Sequence, residues 1–84
     1  MTDGETPVVL VTGAAGGIGA GPAVHRFATG GWRVVATDLT APVRPEIEHA
    51  IDSDLTSVAE CQRLVTEAVA ATGRLDCLVD SAGV

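Results

Sequence analysis

A short aliphatic run that leads directly into a cluster of glycines constrains the fold more than any other feature. The run is Val8–Thr12, and five of the nine residues from Gly13 to Gly21 are glycine. A run this short, stopped by glycines, predicts a buried strand rather than a helix. The glycines predict a tight turn, after which a helix should begin near Gly17 or Ile18 and extend to about Thr29.

Strand and helix signals alternate along the rest of the chain. Residues 32–37 and 75–79 predict a second and a fourth strand, 50–54 predicts a weaker third strand, and a short helical turn is expected at 46–50. Residues 57–72 have apolar positions at helical spacing and begin with a Ser57–Glu60 capping pair, although Thr56 competes as the cap. Strands that alternate with helices imply right-handed crossovers and a parallel sheet, so the fold class is a three-layer α/β unit of Rossmann type.

Composition excludes several classes of partner. The net charge is −6 and the chain contains arginine but no lysine, which disfavours nucleic acid and anionic membranes. The first six residues carry acidic groups where a signal peptide needs a basic start, and we expect them to be disordered. Two cysteines without a CxxC pair, Cys61 and Cys77, favour reduced thiols in a cytoplasmic protein.

The glycine turn has the chemistry of a phosphate site. It allows a pyrophosphate to approach bare backbone and directs the free amides of the next helix at that phosphate. Glycines also serve ordinary turns, and GxGxxG spacing is absent because position 22 is proline. Asp38 strengthens the prediction, since it follows the second strand 19 positions after Gly19, where a carboxylate can accept hydrogen bonds from the adenosine ribose.

In four places the chain resembles the short-chain dehydrogenases/reductases. Residues 12–19 match their TGxxxGxG motif, and Asp38 matches their acid after the second strand. Asp54-Leu55 match their Asp-hydrophobic motif, and the segment 73–83, GRLDCLVDSAG, resembles their GxLDxLVNNAG. Gly13, Gly16 and Gly19 also satisfy the TGxxGxxG of the family's extended branch, but the segment 73–83 favours the shorter oxidoreductase branch.

The resemblance implies strand order 3-2-1-4 and hydride transfer between NAD(H) and an alcohol or carbonyl substrate. It also implies a cofactor site at the strand ends: Gly13, Gly17, Ile18 and Gly19 around the pyrophosphate, Asp38 with Leu39 beside it at the adenosine ribose, Asp54 and Leu55 at adenine, and Ser81, Ala82 and Gly83 at the nicotinamide ribose. We expect NAD rather than NADP, because Asp38 would repel the 2′-phosphate and none of the positions 14, 15, 17 and 39 is arginine.

Three departures from the family pattern carry expectations of their own. Asp80-Ser81 replace the usual Asn-Asn, so a donor is lost at position 80. Pro22 is expected to distort the first helix. In the family pattern the catalytic Ser and Tyr-x-x-x-Lys are expected beyond Val84, and the chain has no tyrosine and no lysine, so we expect no catalysis from this chain alone.

Residues 7–84 are accordingly expected to be an NAD(P)-binding domain that is incomplete at its carboxyl end, with a fourth strand exposed to self-association. The alternative is a non-catalytic dinucleotide-binding module or a non-functional truncated product. No metal site is predicted, since His25 and His49 lack partners at ligand spacing. The acidic residues of 46–54 are expected to form a solvated face, because EF-hand spacing is absent.

Overall fold

The computed structural model describes residues 6–13, 20–38, 44–54 and 56–80. These residues form, in order, β1 (Val8–Thr12), α1 (Ala20–Thr29), β2 (Arg33–Asp38), β3 (His49–Asp52), α2 (Val58–Thr72) and β4 (Cys77–Asp80). All strand pairs are parallel, and the sheet order is β3-β2-β1-β4. The predicted fold class and strand order are therefore confirmed.

The core lies on both faces of the sheet, and β1 contributes to both. All five residues of β1 are buried. Its alternating side chains divide between two clusters: Val9 and Val11 pack with Val24 of α1, and Val8 and Leu10 pack with Leu64 of α2. A central parallel strand covered on both faces must be almost continuously apolar, which explains why an aliphatic run encodes it.

The ends of α2 follow the sequence signals. Ser57 rather than Thr56 is the N-cap, and its hydroxyl oxygen accepts a hydrogen bond from the Glu60 amide at 3.4 Å. The Glu60 carboxylate accepts from Arg63 Nε at 2.7 Å instead of completing a capping box. The helix ends at Gly73, whose φ of 88° is left-handed and whose amide donates to a carbonyl of the last turn.

Pro22 is compatible with α1. It is the third residue of the helix, and the first four amides of a helix have no partner within it, so a missing N–H costs little there. The helix continues from Pro22 without a break to Thr29, its predicted end, so the expected distortion is not seen in the described part of α1. The predicted start at Gly17 or Ile18 lies outside the described residues.

The predicted helical turn at 46–50 is wrong. Residues 44–47 form a tight turn closed by a hydrogen bond from the Ile47 amide to the Arg44 carbonyl at 3.1 Å. The Glu48 amide then donates to the Val34 carbonyl at 2.8 Å, so the backbone here already pairs with β2. β3 begins at the next residue, His49. The third strand thus lies slightly earlier than predicted, and the fourth slightly later, because sheet register overrides local preference.

Within the described part of the chain, no helix has both the length and the apolar character needed to span a membrane.

Candidate functional site

The carboxyl ends of the four strands meet at one edge of the sheet, which we call the carboxyl edge. The register pairs Thr12 with both Thr37 and Asp80, and it pairs Asp38 with Asp52. Three predicted cofactor residues belong to this edge or follow it within two residues: Gly13, Asp38 and Asp54. The other predicted positions lie outside the described residues: Gly17, Ile18, Gly19, Leu39, Leu55, Ser81, Ala82 and Gly83.

Gly13 begins the turn that follows β1, and its backbone conformation requires glycine. Its φ is 67°, in the left-handed region that L residues with a Cβ enter at a cost. The chain therefore leaves the central strand in a conformation that residues other than glycine adopt poorly, at the position where the motif begins. This is the conformational reason for the first glycine of the motif.

Asp38 is the last residue of β2 and is half-buried. Its backbone carbonyl accepts a hydrogen bond from the Ser53 amide at 2.8 Å, so the pairing between β2 and the chain after β3 continues past Asp52. Asp38 is therefore fixed by sheet pairing at the strand end next to β1, as the sequence predicted.

Asp54 is exposed and is held in a local turn at the entrance to α2. Its Oδ1 accepts from the Thr56 hydroxyl at 2.7 Å and from the Thr56 amide at 3.0 Å. These bonds stabilise the carboxylate and lower the pKa of Asp54, with the hydroxyl as the larger cause. Asp54 is therefore an anion with one oxygen engaged locally, and its position follows from the turn.

Asp80, the departure from Asn, accepts a hydrogen bond at the same edge. The buried Thr12 hydroxyl lies 2.8 Å from Asp80 Oδ1 and 3.4 Å from the Val79 carbonyl oxygen. A carboxylate oxygen accepts from a hydroxyl as well as an amide oxygen does. The acceptor function of an asparagine is preserved, while the donor is lost and a negative charge is added.

The structure also brings a cation to α1 that the sequence analysis missed. Arg44 lies against Gly21 in the first turn of α1: a Cβ built on Gly21 would be 2.7 Å from Arg44 Nη2. The turn at 44–47 runs along this helix, because Glu46 Oε2 lies 3.4 Å from His25 Nδ1 and Ile47 packs into the cluster beneath α1. The lack of a side chain at Gly21 was the available signal, but sequence alone does not identify what occupies the space.

Arg44 is of interest because the side chains at the carboxyl edge are mainly acidic. Asp38, Asp52 and Asp80 are strand-terminal carboxylates, so the edge is acidic. Arg63 of α2 donates to the Asp52 carbonyl at 2.9 Å, but two glutamates of its own helix neutralise it. Among the described residues no carboxylate forms an ion pair with Arg44, and none of their His, Cys, Asp and Glu side chains cluster as metal ligands.

A parallel sheet ordered β3-β2-β1-β4, with a helix on each face, defines the Rossmann class of α/β proteins. Within that class the chain belongs to the short chain dehydrogenase family, whose model matches residues 7–84.

Relatives with known activities agree with this membership. The chain is 38% identical to 1,6-dihydroxycyclohexa-2,4-diene-1-carboxylate dehydrogenase of Acinetobacter baylyi, over 94% of this chain and 33% of that protein. It is 37% identical to cis-2,3-dihydrobiphenyl-2,3-diol dehydrogenase of a Pseudomonas species, over 92% of this chain and 30% of that one. The chain thus spans about a third of the length of these relatives.

Solved structures resemble the chain over the same portion. A short-chain dehydrogenase/reductase variant of Serratia marcescens aligns with a TM-score of 0.74 at 34% identity, covering 93% of this chain and 35% of that structure. An NADH-dependent reductase complexed with NAD aligns with a TM-score of 0.73 at 28% identity, covering 87% of this chain and 34% of that structure.

Proposed function

We propose that this chain binds NAD at its carboxyl edge and forms the cofactor-binding part of an alcohol or carbonyl oxidoreductase. The observation that carries the proposal is the position of Asp38 at the end of β2. The neighbouring strand is β1, which is followed by Gly13 in a left-handed conformation. Family membership supports a nicotinamide dinucleotide, and the NAD-complexed reductase supports NAD.

The residues at this edge fit the parts of such a cofactor. The turn that begins at Gly13 and the start of α1 suit the pyrophosphate, because bare backbone and the positive end of a helix attract phosphate. The Asp38 carboxylate suits the adenosine ribose as an acceptor of hydroxyl hydrogen bonds. The predicted residues outside the described ranges, namely Gly17, Ile18, Gly19, Leu39, Leu55, Ser81, Ala82 and Gly83, remain part of the proposed site. A bound nicotinamide ring supplies the hydride acceptor or donor.

Asp38 is also the basis for proposing NAD over NADP. A carboxylate that accepts from ribose hydroxyls repels a phosphate placed on one of them. Arg44 opposes this effect, since it brings a cation to the first turn of α1. We assign the larger influence to Asp38, because its contact with the ribose would be direct, whereas Arg44 extends from an exposed turn.

The second candidate is a dinucleotide-binding module without catalysis. It is favoured by the absence of tyrosine and lysine from the chain, since the family's proton donor and the lysine that tunes it cannot be supplied. Both candidates share the cofactor site and differ in turnover. The chain has two cysteines, Cys61 and Cys77, without a CxxC pair, a pattern that suits reduced thiols, and the cytoplasm is part of the proposal.

Isothermal titration of the purified chain with NAD, ADP-ribose and AMP tests the cofactor site. We expect saturable binding of all three ligands, weakened by Asp38→Ala. Asp52→Ala is the matched control, because it removes a carboxylate from the neighbouring strand end without a proposed contact. Absence of binding by the unaltered chain, or equal weakening in both variants, would refute the assignment of Asp38.

A further inference from the structure

A buried pair of hydroxyl groups joins β2 to the chain that follows β3, just below the carboxyl edge. Thr37 Oγ1 and Ser53 Oγ are 2.6 Å apart, a short hydrogen bond between hydroxyls. Thr37 is fully buried and Ser53 is 6% exposed. Two polar groups thus lie where a parallel sheet ordinarily carries aliphatic side chains.

Each member of this pair immediately precedes a residue of the proposed cofactor site. Thr37 precedes Asp38, proposed for the adenosine ribose, and Ser53 precedes Asp54, proposed for adenine. The Ser53 amide also donates to the Asp38 carbonyl at 2.8 Å. Ser53 therefore connects to β2 twice, through its backbone at Asp38 and through its side chain at Thr37.

The pair lies on the face of the sheet covered by α2. Thr37 is two residues from Val35, and Ser53 is two residues from Ile51, and both aliphatic residues belong to the cluster beneath that helix. Side chains alternate along a strand, so Thr37 shares the face of Val35 and Asp38 points to the other side. The hydroxyl pair can therefore hold the strand ends together without occupying the space of a ligand at Asp38.

β3 needs such a connection because it is a short edge strand. It has four residues and pairs only with β2 within the described sheet. Short edge strands open locally at low cost, and opening would separate Asp54 from Asp38. The hydrogen bonds to Thr56 fix Asp54 to the start of α2. The connection of Asp54 to β2, in contrast, runs through Ser53.

We propose that the Thr37–Ser53 hydroxyl pair is a positioning element of the adenosine subsite, setting Asp38 and Asp54 at the separation that the nucleoside requires. The inference rests on the proposed function and deepens it. Thr37 and Ser53 do not contact the cofactor, and they act through the two aspartates that follow them. The pair should therefore affect binding of the adenosine half more than binding of the nicotinamide half.

The test uses Thr37→Val, Ser53→Ala and the double variant in the full chain. Each single variant leaves one buried hydroxyl without its partner, whereas the double variant removes both, so it should recover much of the stability that the single variants lose. AMP and nicotinamide mononucleotide serve as probes in calorimetry. The double variant should bind AMP roughly 5- to 20-fold more weakly, which corresponds to the net contribution of about one hydrogen bond. Its affinity for nicotinamide mononucleotide should be unchanged.

Thr72→Val is the matched control. The Thr72 hydroxyl is also buried, and it donates to the carbonyls of Ala68 and Arg74 at the far end of α2. This variant should lose stability without losing affinity for AMP. Thr37→Ser keeps the hydroxyl and should retain AMP affinity, so comparing it with Thr37→Ala carries the test if the double variant does not fold.

Hydrogen exchange of the Ser53 amide without ligand gives an independent readout, and it should accelerate in the double variant. A double variant that binds AMP within twofold of the unaltered chain would overturn this inference and leave the proposed function standing. Failure of the unaltered chain to bind either NAD or AMP would overturn the proposed function, and this inference with it.

Discussion

The Thr12 hydroxyl donates a 2.8 Å hydrogen bond to Asp80 Oδ1, which joins the carboxyl ends of β1 and β4. The bond places a carboxylate beside the strand from which the glycine turn begins. The hydrogen bond stabilises the sheet. Because the proposed ligand is an anion, the negative charge of Asp80 lowers the affinity for that ligand. Asparagine would retain the acceptor and remove the charge.

Asp80→Asn should therefore raise affinity for NAD by roughly 2- to 5-fold at low salt, a change of about 0.4–1 kcal/mol, the size expected of one partly screened charge. Thermal stability should change little. Calorimetry with NAD and thermal melts measure both. Asp76→Asn is the control of equal charge change, since Asp76 lies at the opposite end of β4 and accepts from the Val8 amide at 2.8 Å. An equal gain in both variants would assign the effect to net charge instead.

Cofactor choice should follow Asp38. The chain should bind NAD more tightly than NADP, because the carboxylate faces the position of the 2′-phosphate in the proposed site. Asp38→Ala should bring the two dissociation constants closer together, because it should weaken NAD binding and relieve the repulsion of the NADP 2′-phosphate. Equal or tighter binding of NADP by the unaltered chain would contradict the prediction.

Arg44 should contribute to cofactor affinity through its charge. Arg44→Gln should weaken NAD binding by roughly 3- to 10-fold at low ionic strength and by less at 0.5 M salt, where exposed charges are strongly screened. Gly21→Ala should produce a similar loss, because the new Cβ would be 2.7 Å from Arg44 Nη2 and would displace the guanidinium.

Two observations separate this role from a general effect on α1. Alanine favours a helix over glycine, so Gly21→Ala should fold at least as well as the unaltered chain. Arg26→Gln removes a charge from the last turn of the same helix and should leave NAD affinity unchanged. If Arg26→Gln and Arg44→Gln weakened binding equally, a local role for Arg44 would be refuted.

The purified chain should not oxidise alcohols with NAD. Acid–base groups placed at the reacting oxygen contribute about 10²- to 10⁴-fold in rate, and the tyrosine and lysine that do so in the family are absent from this chain. A sensitive fluorescence assay for NADH over a panel of alcohols and diols measures this. NADH production that scales with protein and disappears in Gly19→Trp would show the prediction to be wrong.

The chain should self-associate through β4. This strand is an edge of the sheet formed by the described residues, and its Leu78 is 59% exposed on the α2 side, where Val65 and Val69 are 44% and 39% exposed. An apolar edge recruits other chains, and a charge on the edge opposes pairing. Light scattering after size-exclusion chromatography should detect dimers or larger species, which Leu78→Lys should reduce.

Gln62→Lys adds the same charge to the exposed surface of α2 and serves as the control. It should leave the size distribution unchanged. A monodisperse monomer of 8.5 kDa for the unaltered chain would refute association through β4 and favour a self-sufficient binding module.

Sequence by itself determined the elements and their class. Val8–Thr12 was predicted as a buried strand, because a short continuous aliphatic run stopped by glycine fits a parallel strand covered on both faces. Gly13 marked the turn after β1, Gly73 marked the end of α2, and Ser57 with its competitor Thr56 marked the start of α2 to within one residue. These features depend on residues a few positions apart, so local preference was sufficient to predict them. The same local reasoning failed at 46–50, where pairing with β2 determined the conformation.

Only the tertiary structure decided which distant residues meet. Thr12 and Asp80 are 68 positions apart, Thr37 and Ser53 are 16 apart, and Arg44, between β2 and β3, lies against Gly21 of α1. Each of these contacts exists only after the strands have settled into register and residues 44–47 have packed along α1. The pattern of apolar runs and turns does not specify these contacts, because each of these residues has many possible partners until the core has fixed the backbone.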